Sequence, residues 1–165
     1  MSHLLSKTKA TIQIMFDRIA VILQDNGIDP SKVMMKVGFY RNYNSSKDMI
    51  YQESNWETKA NSLKTFLNPI DVAGGWGPEA VEVGFYHAEK ESELSQVILI
   101  GDAPPNPLDQ FNSKRDHQGV DYWNKHFPGL CHYEQHLKNL VSRGIQVHAM
   151  HLNSSCENSF KSISN

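Results

Sequence analysis

The amino-acid sequence predicts an α/β fold, a doubly wound and mostly parallel sheet with helices on both faces. Three observations predict it. Apolar residues at helical spacing open the chain, at Leu5, Ile12, Met15, Ile19 and Ile22. The run QVILI at 96–100 is continuously apolar and of strand length, as a strand buried on both faces must be. Along the rest of the chain helical and strand patterns alternate, which calls for crossovers packed on a sheet.

Each element has its own signal. The opening helix stops at Asn26-Gly27, and Asp29-Pro30 reinforces the break. Val33 to Tyr40 is β-branched and apolar enough for a strand, and a second short strand at Asp48 to Gln52 can pair with it across the polar turn 42–47. A helix is expected from Thr58 to Ile70, with Leu63, Phe66, Leu67 and Ile70 on one side. Gly74-Gly75 breaks the chain, and Pro78 suits the first position of a helix running to about Glu91. After the strand at 96–100, residues 103–117 carry Pro104, Pro105 and Pro107 and read as loop. Helices follow at Val120 to His126 and Cys131 to Ser142, with Gly144 as a C-cap. Ile145 to Leu152 reads as a strand and Glu157 to Ile163 as a last helical piece. The chain thus opens with a helix, where a parallel sheet of this kind normally opens with a strand.

The bulk properties narrow the function classes. A chain of 165 residues suits one domain, and 39% hydrophobic with 21% charged residues is ordinary for a globular protein. Net charge is −2 with Lys and Arg dispersed, so neither a nucleic-acid nor a membrane partner is expected. No apolar stretch is long enough to span a bilayer, and the N-terminus lacks a signal-peptide pattern. Cys131 and Cys156 are too few for a disulfide framework and read as reduced thiols, which places the protein inside the cell, in the cytoplasm.

Three runs carry a family resemblance: VGFYRNY at 37–43, GGWGPEAVEVG at 74–84 and VILIGDAPP at 97–105, with VHAMHL at 147–152 matching the strand that follows. Together and in this order they resemble the von Willebrand factor A family, a Rossmann-like α/β fold. The branch is the one found beside alpha-kinase domains and in many protist proteins. The resemblance covers nearly the whole chain and implies a single domain over 1–165. It also implies a metal-ion-dependent adhesion site at the strand ends, holding Mg²⁺ through carboxylate and hydroxyl oxygens.

Carried over residue by residue, that site is degenerate. Asp102 matches the third-loop aspartate, whereas Gly77 falls where the second-loop oxygen ligand would stand and offers none. The Asp-x-Ser/Thr-x-Ser motif of the first loop is missing, with the first central strand that precedes it, and would lie before Met1. Two accounts fit: a fragment beginning at an internal methionine, or a complete domain that has lost the strand. The first is favoured, because loss of a mid-sheet strand leaves two neighbours with unpaired backbone groups. Mg²⁺ is expected only with the upstream motif present. With a single ligand retained, capping by Asp102 is favoured over metal binding.

The remaining candidates form a rim for a protein partner: Arg41, Asn42, Trp76, Gly77, Glu79 and Asp102. Glu79 suits the first turn of a helix, where exposed N–H groups favour negative charge, or a place beside Asp102. Arg41 and Asn42 either tie down a loop or touch the partner. Trp76 either plugs the rim or anchors a contact. Phe39, Tyr40, Phe85 and Tyr86 read as core. His132 and His136 share a helix face, read as solvated, with Cys131 pointing elsewhere. No catalytic constellation emerges. The expected function is a non-enzymatic protein-interaction module; the alternatives are a regulatory or targeting domain of a larger enzyme such as an alpha-kinase, and a nonfunctional truncated product.

Overall fold

A computed structural model of the chain describes residues 2–71 and 75–164, with side chains from residue 6 onward. Two parts of the expected pattern, Leu5 of the opening stripe and Gly74 of the glycine pair, therefore lie outside the described side chains and residues respectively. Helix and strand are mixed, as an α/β chain requires. The elements are α1 Ser2–Asp25, a 3₁₀ turn Pro30–Lys32, β1 Gly38–Tyr40, β2 Tyr51–Glu53, α2 Ala60–Leu67 and α3 Val81–Lys90. There follow β3 Gln96–Gly101, α4 Leu108–Asp116, α5 Val120–His126, α6 Tyr133–Ser142, β4 Gln146–His151, a 3₁₀ turn Ser154–Cys156 and α7 Glu157–Ile163.

The strands of the described residues form two two-stranded sheets, β1 with β2 and β3 with β4, rather than one doubly wound sheet. β3 and β4 are parallel, in register from Gln96 with Gln146 to Gly101 with His151, and the crossover between them carries α4, α5 and α6. The Gln146 N–H donates to Ser95 O and the Leu152 N–H to Gly101 O. Odd-numbered residues of β3 therefore turn their backbone groups toward β4, and Ile98 and Ile100 turn theirs to the other edge.

By contacts the chain divides into two compact units, Met1–Gly38 with Glu53–Gly74, and Phe39–Gln52 with Gly75–Asn165. In the first, Ile12 and Phe16 of α1 and Leu63 and Leu67 of α2 are buried. The Lys9 ammonium donates to the Ile70 carbonyl (2.5 Å) and the Asn68 carbonyl (3.3 Å), occupying acceptors at the end of α2. Ile22, expected on the buried stripe, is 58% exposed. The buried positions Ile12 and Phe16 are four apart, one turn of helix and on one face of α1.

The second unit is built around α3. Ala80, Val83 and Tyr86 face one apolar cluster with Tyr43, Ile50, Phe111, Trp123, Phe127 and Leu130. Val81 and Phe85 face another with Leu99, Leu140, Val147, Cys156 and Phe160. A helix covered on both sides reads as nearly continuous apolar sequence, which is what VEVGFY provides. Phe85 and Tyr86 are core as expected, whereas Phe39 and Tyr40 are half-buried.

Several boundaries differ from expectation, each for a local reason. Residues 103–117 hold a helix, α4, because the prolines all precede its first turn, where a missing N–H costs nothing. Pro107 is the N-cap, and its carbonyl accepts the Phe111 N–H at 2.8 Å. α3 starts at Val81 rather than Pro78, since the Glu79 N–H donates to Pro104 O and the Asn106 N–H to Glu79 O, both at 2.9 Å. The strand expected from Val33 shortens to Gly38–Tyr40: the Ser54 hydroxyl takes the Val37 N–H at 3.0 Å and interrupts the ladder, leaving Met35 and Glu57 as an isolated bridge.

Candidate functional site

The loops that leave β1 and β3 meet. Tyr40, at the end of β1, packs its ring against Gly84, and its hydroxyl lies so close to Gly101 that a Cβ there would sit 3.0 Å away. Phe160 closes the same spot from α7, 2.9 Å from that Cβ position, which accounts for a glycine at the end of an otherwise bulky strand. Strand ends held together this way bring 41–45, 75–79 and 102–107 to one rim, where open α/β folds place their sites.

Asn42 is the clamp of that rim. It is 3% exposed; its amide nitrogen donates to the carbonyls of Trp76 and Pro78, and its Oδ1 accepts the Tyr43 N–H at 3.0 Å. The bond between Gly77 and Pro78 is cis. Lys114 reaches in from α4, donating to Pro78 O at 2.7 Å and to Asn106 Oδ1 at 2.6 Å. Asn106, fully buried, passes the network on by donating to Glu82 Oε1 at 3.1 Å. His132 Nε2 contacts the Asn106 carbonyl at 2.9 Å.

The other rim residues divide between clamp and surface. Arg41 ties down the β1–β2 connection, donating to Met49 O and Gln52 Oε1, each at 2.8 Å. Trp76 is half-buried against the first apolar cluster, edge-on to His117 at 4.9 Å. Gly77 is exposed, with open space where a side chain would project. Glu79 comes beside Asp102, and burial together with the Asp102 charge pushes its carboxyl up to about 7, Lys114 pulling the other way. Glu82 is fully buried and is likewise raised to about 7 by desolvation, against its backbone hydrogen bond, the hydrogen bond from Asn106 and the Lys114 charge. The facing Tyr43 Oη and Glu82 Oε2 have no well-aligned hydrogen bond.

These residues do not fit a divalent cation. Mg²⁺ requires several oxygens in a near-octahedral array. Asp102 has one carboxyl beside it, Glu79, whose charged form burial disfavours, and Gly77 supplies no oxygen. Among the described residues no group of three or more His, Cys, Asp or Glu side chains is placed to hold a metal.

Sequence reasoning missed a second cluster. His136 is 3% exposed rather than solvated, and Cys131 points at it. Cys131 Sγ lies 3.4 Å from His136 Nε2, and Glu89 Oε2 lies 2.5 Å from His136 Nδ1. The expected helix from Cys131 begins only at Tyr133, so Cys131 precedes the N-cap, His132, and its side chain turns back along α6. Sequence spacing carries no signal for this, because Glu89 comes from another helix.

No family model matches the chain, and neither a curated protein nor a solved structure matches it. No helix among the described residues is long and apolar enough to cross a membrane.

Proposed function

We propose that the chain is a non-enzymatic protein-interaction module of the von Willebrand A type, whose partner docks on the rim formed by 75–79 and 102–107. The observation that carries this reading is the double tie between the two loops, Glu79 to Pro104 and Asn106, with Asn42 holding Trp76 and Pro78 from beneath. Loops so fixed lose little conformational freedom on binding, which favours recognition. In the finer form of the fold, β3 and β4 belong to a doubly wound, mostly parallel sheet that lacks its first central strand. The unpaired edge at Ile98 and Ile100 supports this, as does the 36% exposure of Ile98 within so apolar a strand. The two free thiols suit the reducing cytoplasm as its setting.

Gly77→Arg tests the reading, since the exposed position accommodates a side chain without touching the fold. Affinity capture from cells of the source organism should return a partner set with the wild-type chain and with Glu157→Ala, a part-exposed position on α7, and lose it with Gly77→Arg. Equal recovery by all three would sink the proposal.

A further inference from the structure

Cys131, His136 and Glu89 form an array whose protonation states are dictated by its hydrogen bonds. His136 Nε2 accepts the Cys131 backbone N–H at 3.1 Å and faces the thiol at 3.4 Å, so the lone pair is on Nε2. The ring proton is then on Nδ1, directed at Glu89 Oε2. Glu89 is itself oriented: Asn139 donates to its Oε1 at 2.8 Å, and Arg143 binds the Glu89 carbonyl. This is a sulfur nucleophile, a base within reach of its proton, and a carboxylate that stabilises the imidazolium formed when the base takes it. Arg115, nine-tenths buried over the Phe111 ring with a hydrogen bond to Asn124 Oδ1 at 2.6 Å, adds a positive charge that opposes the rise of the thiol.

We propose that Cys131 is a nucleophilic thiol, activated by His136 and Glu89, that undergoes exchange with low-molecular-weight disulfides. His136 Nε2 takes the thiol proton as Sγ attacks one sulfur of the disulfide. The Cys131 S–S bond forms, the original S–S bond breaks, and the departing thiolate regains the proton from the imidazolium and leaves as a thiol. The Cys131 sulfur is oxidised and the leaving sulfur reduced by the same amount, so the disulfide is the oxidant and no other is needed. Burial and the Glu89 charge push the Cys131 thiol up, with Arg115 opposing them, so the resting group is the neutral thiol and reactivity comes from proton removal during attack. Cys131 is partly exposed, whereas Cys156 is fully buried with its Sγ on the Asn153 carbonyl at 2.9 Å, an internal control.

The test is reaction of the full chain with the aromatic disulfide 5,5′-dithiobis(2-nitrobenzoate) at neutral pH, followed by peptide mapping. Label should appear first on Cys131. The folded chain should react there about tenfold or more faster than the same thiol in the urea-unfolded chain at the same pH, as general-base assistance requires. Glu89→Gln keeps an acceptor for Nδ1–H and removes the charge that stabilises the imidazolium. It should slow labelling about tenfold with the melting temperature unchanged. First labelling on Cys156, or a folded Cys131 no faster than the unfolded one, would overturn the proposal without recourse to any variant. A folded Glu89→Gln chain that labels at the wild-type rate would overturn it too.

Discussion

Asn42 and Glu82 are two of the buried polar side chains on which the rim depends, and they respond to change in opposite ways. Replacing Asn42 with Ala strands the Trp76 carbonyl and the Tyr43 N–H, and leaves the Pro78 carbonyl to Lys114 alone. Such unsatisfied groups cost about 2–4 kcal/mol together, and urea unfolding of Asn42→Ala should show a loss of that size. Glu82 carries a cost of its own. Its carboxyl titrates near 7 in the folded chain against an ordinary 4.5, so between those values the native state binds the extra proton. The contribution to stability is full below about 4.5 and is lost as pH rises through 7. Glu82→Gln keeps an oxygen for Asn106 and faces Tyr43 with an amide instead of a charge. It should therefore raise stability by about 3 kcal/mol at pH 8 and hardly at all at pH 4, read from denaturant midpoints at the two pH values. An equal gain at both would mean that burial does not raise the Glu82 carboxyl above its ordinary value in the folded chain.

At the scale of elements, β3 is the strand with two different edges. The N–H groups of Val97, Leu99 and Gly101 turn toward β4, and those of Ile98 and Ile100 turn away from it. Amide hydrogen exchange along β3 should therefore alternate, slow at 97, 99 and 101 and faster at 98 and 100. Uniform protection along the strand would show that a further strand already covers the second edge. α4 shows how a short element is decided by its first turn: three prolines upstream of Leu108 stop nothing, because a helix needs no N–H donors there. α6 carries both histidines one turn apart and sends them to different tasks, His132 to the Asn106 carbonyl of the rim and His136 to Cys131 and Glu89.

Over the whole molecule, two apolar clusters share α3 as a common wall, and the rim stands where the helix begins. Two carboxyls on that rim, Glu79 and Glu82, are raised by burial, and such groups make a poor cage for a hard cation. Millimolar Mg²⁺ should leave the melting temperature of this chain unmoved, since a ligand stabilises only in proportion to its binding of the native state. A rise of several degrees on adding Mg²⁺, reversed by chelation, would count against that account of the rim.

The chain's helical periods, the QVILI strand and the apolar sequence of α3 were legible because each depends on neighbours a few residues away, where spacing and burial are one fact. Arg41 and Asn42 could be read as loop-tying residues for the same reason: polar side chains just beyond a strand have backbone within reach. Three things had no local signature. Pairing of β3 on a single edge, the start of α3 at Val81, and the meeting of Glu89 with His136 and Cys131 all depend on partners about 25 to 50 residues away. The prolines of 103–107 misled because their effect depends on which turn of a helix they occupy. Periodicity specifies which face of an element is apolar; which charged or nucleophilic groups then share a pocket is decided when those faces pack, since only packing brings α3 and α6 side by side.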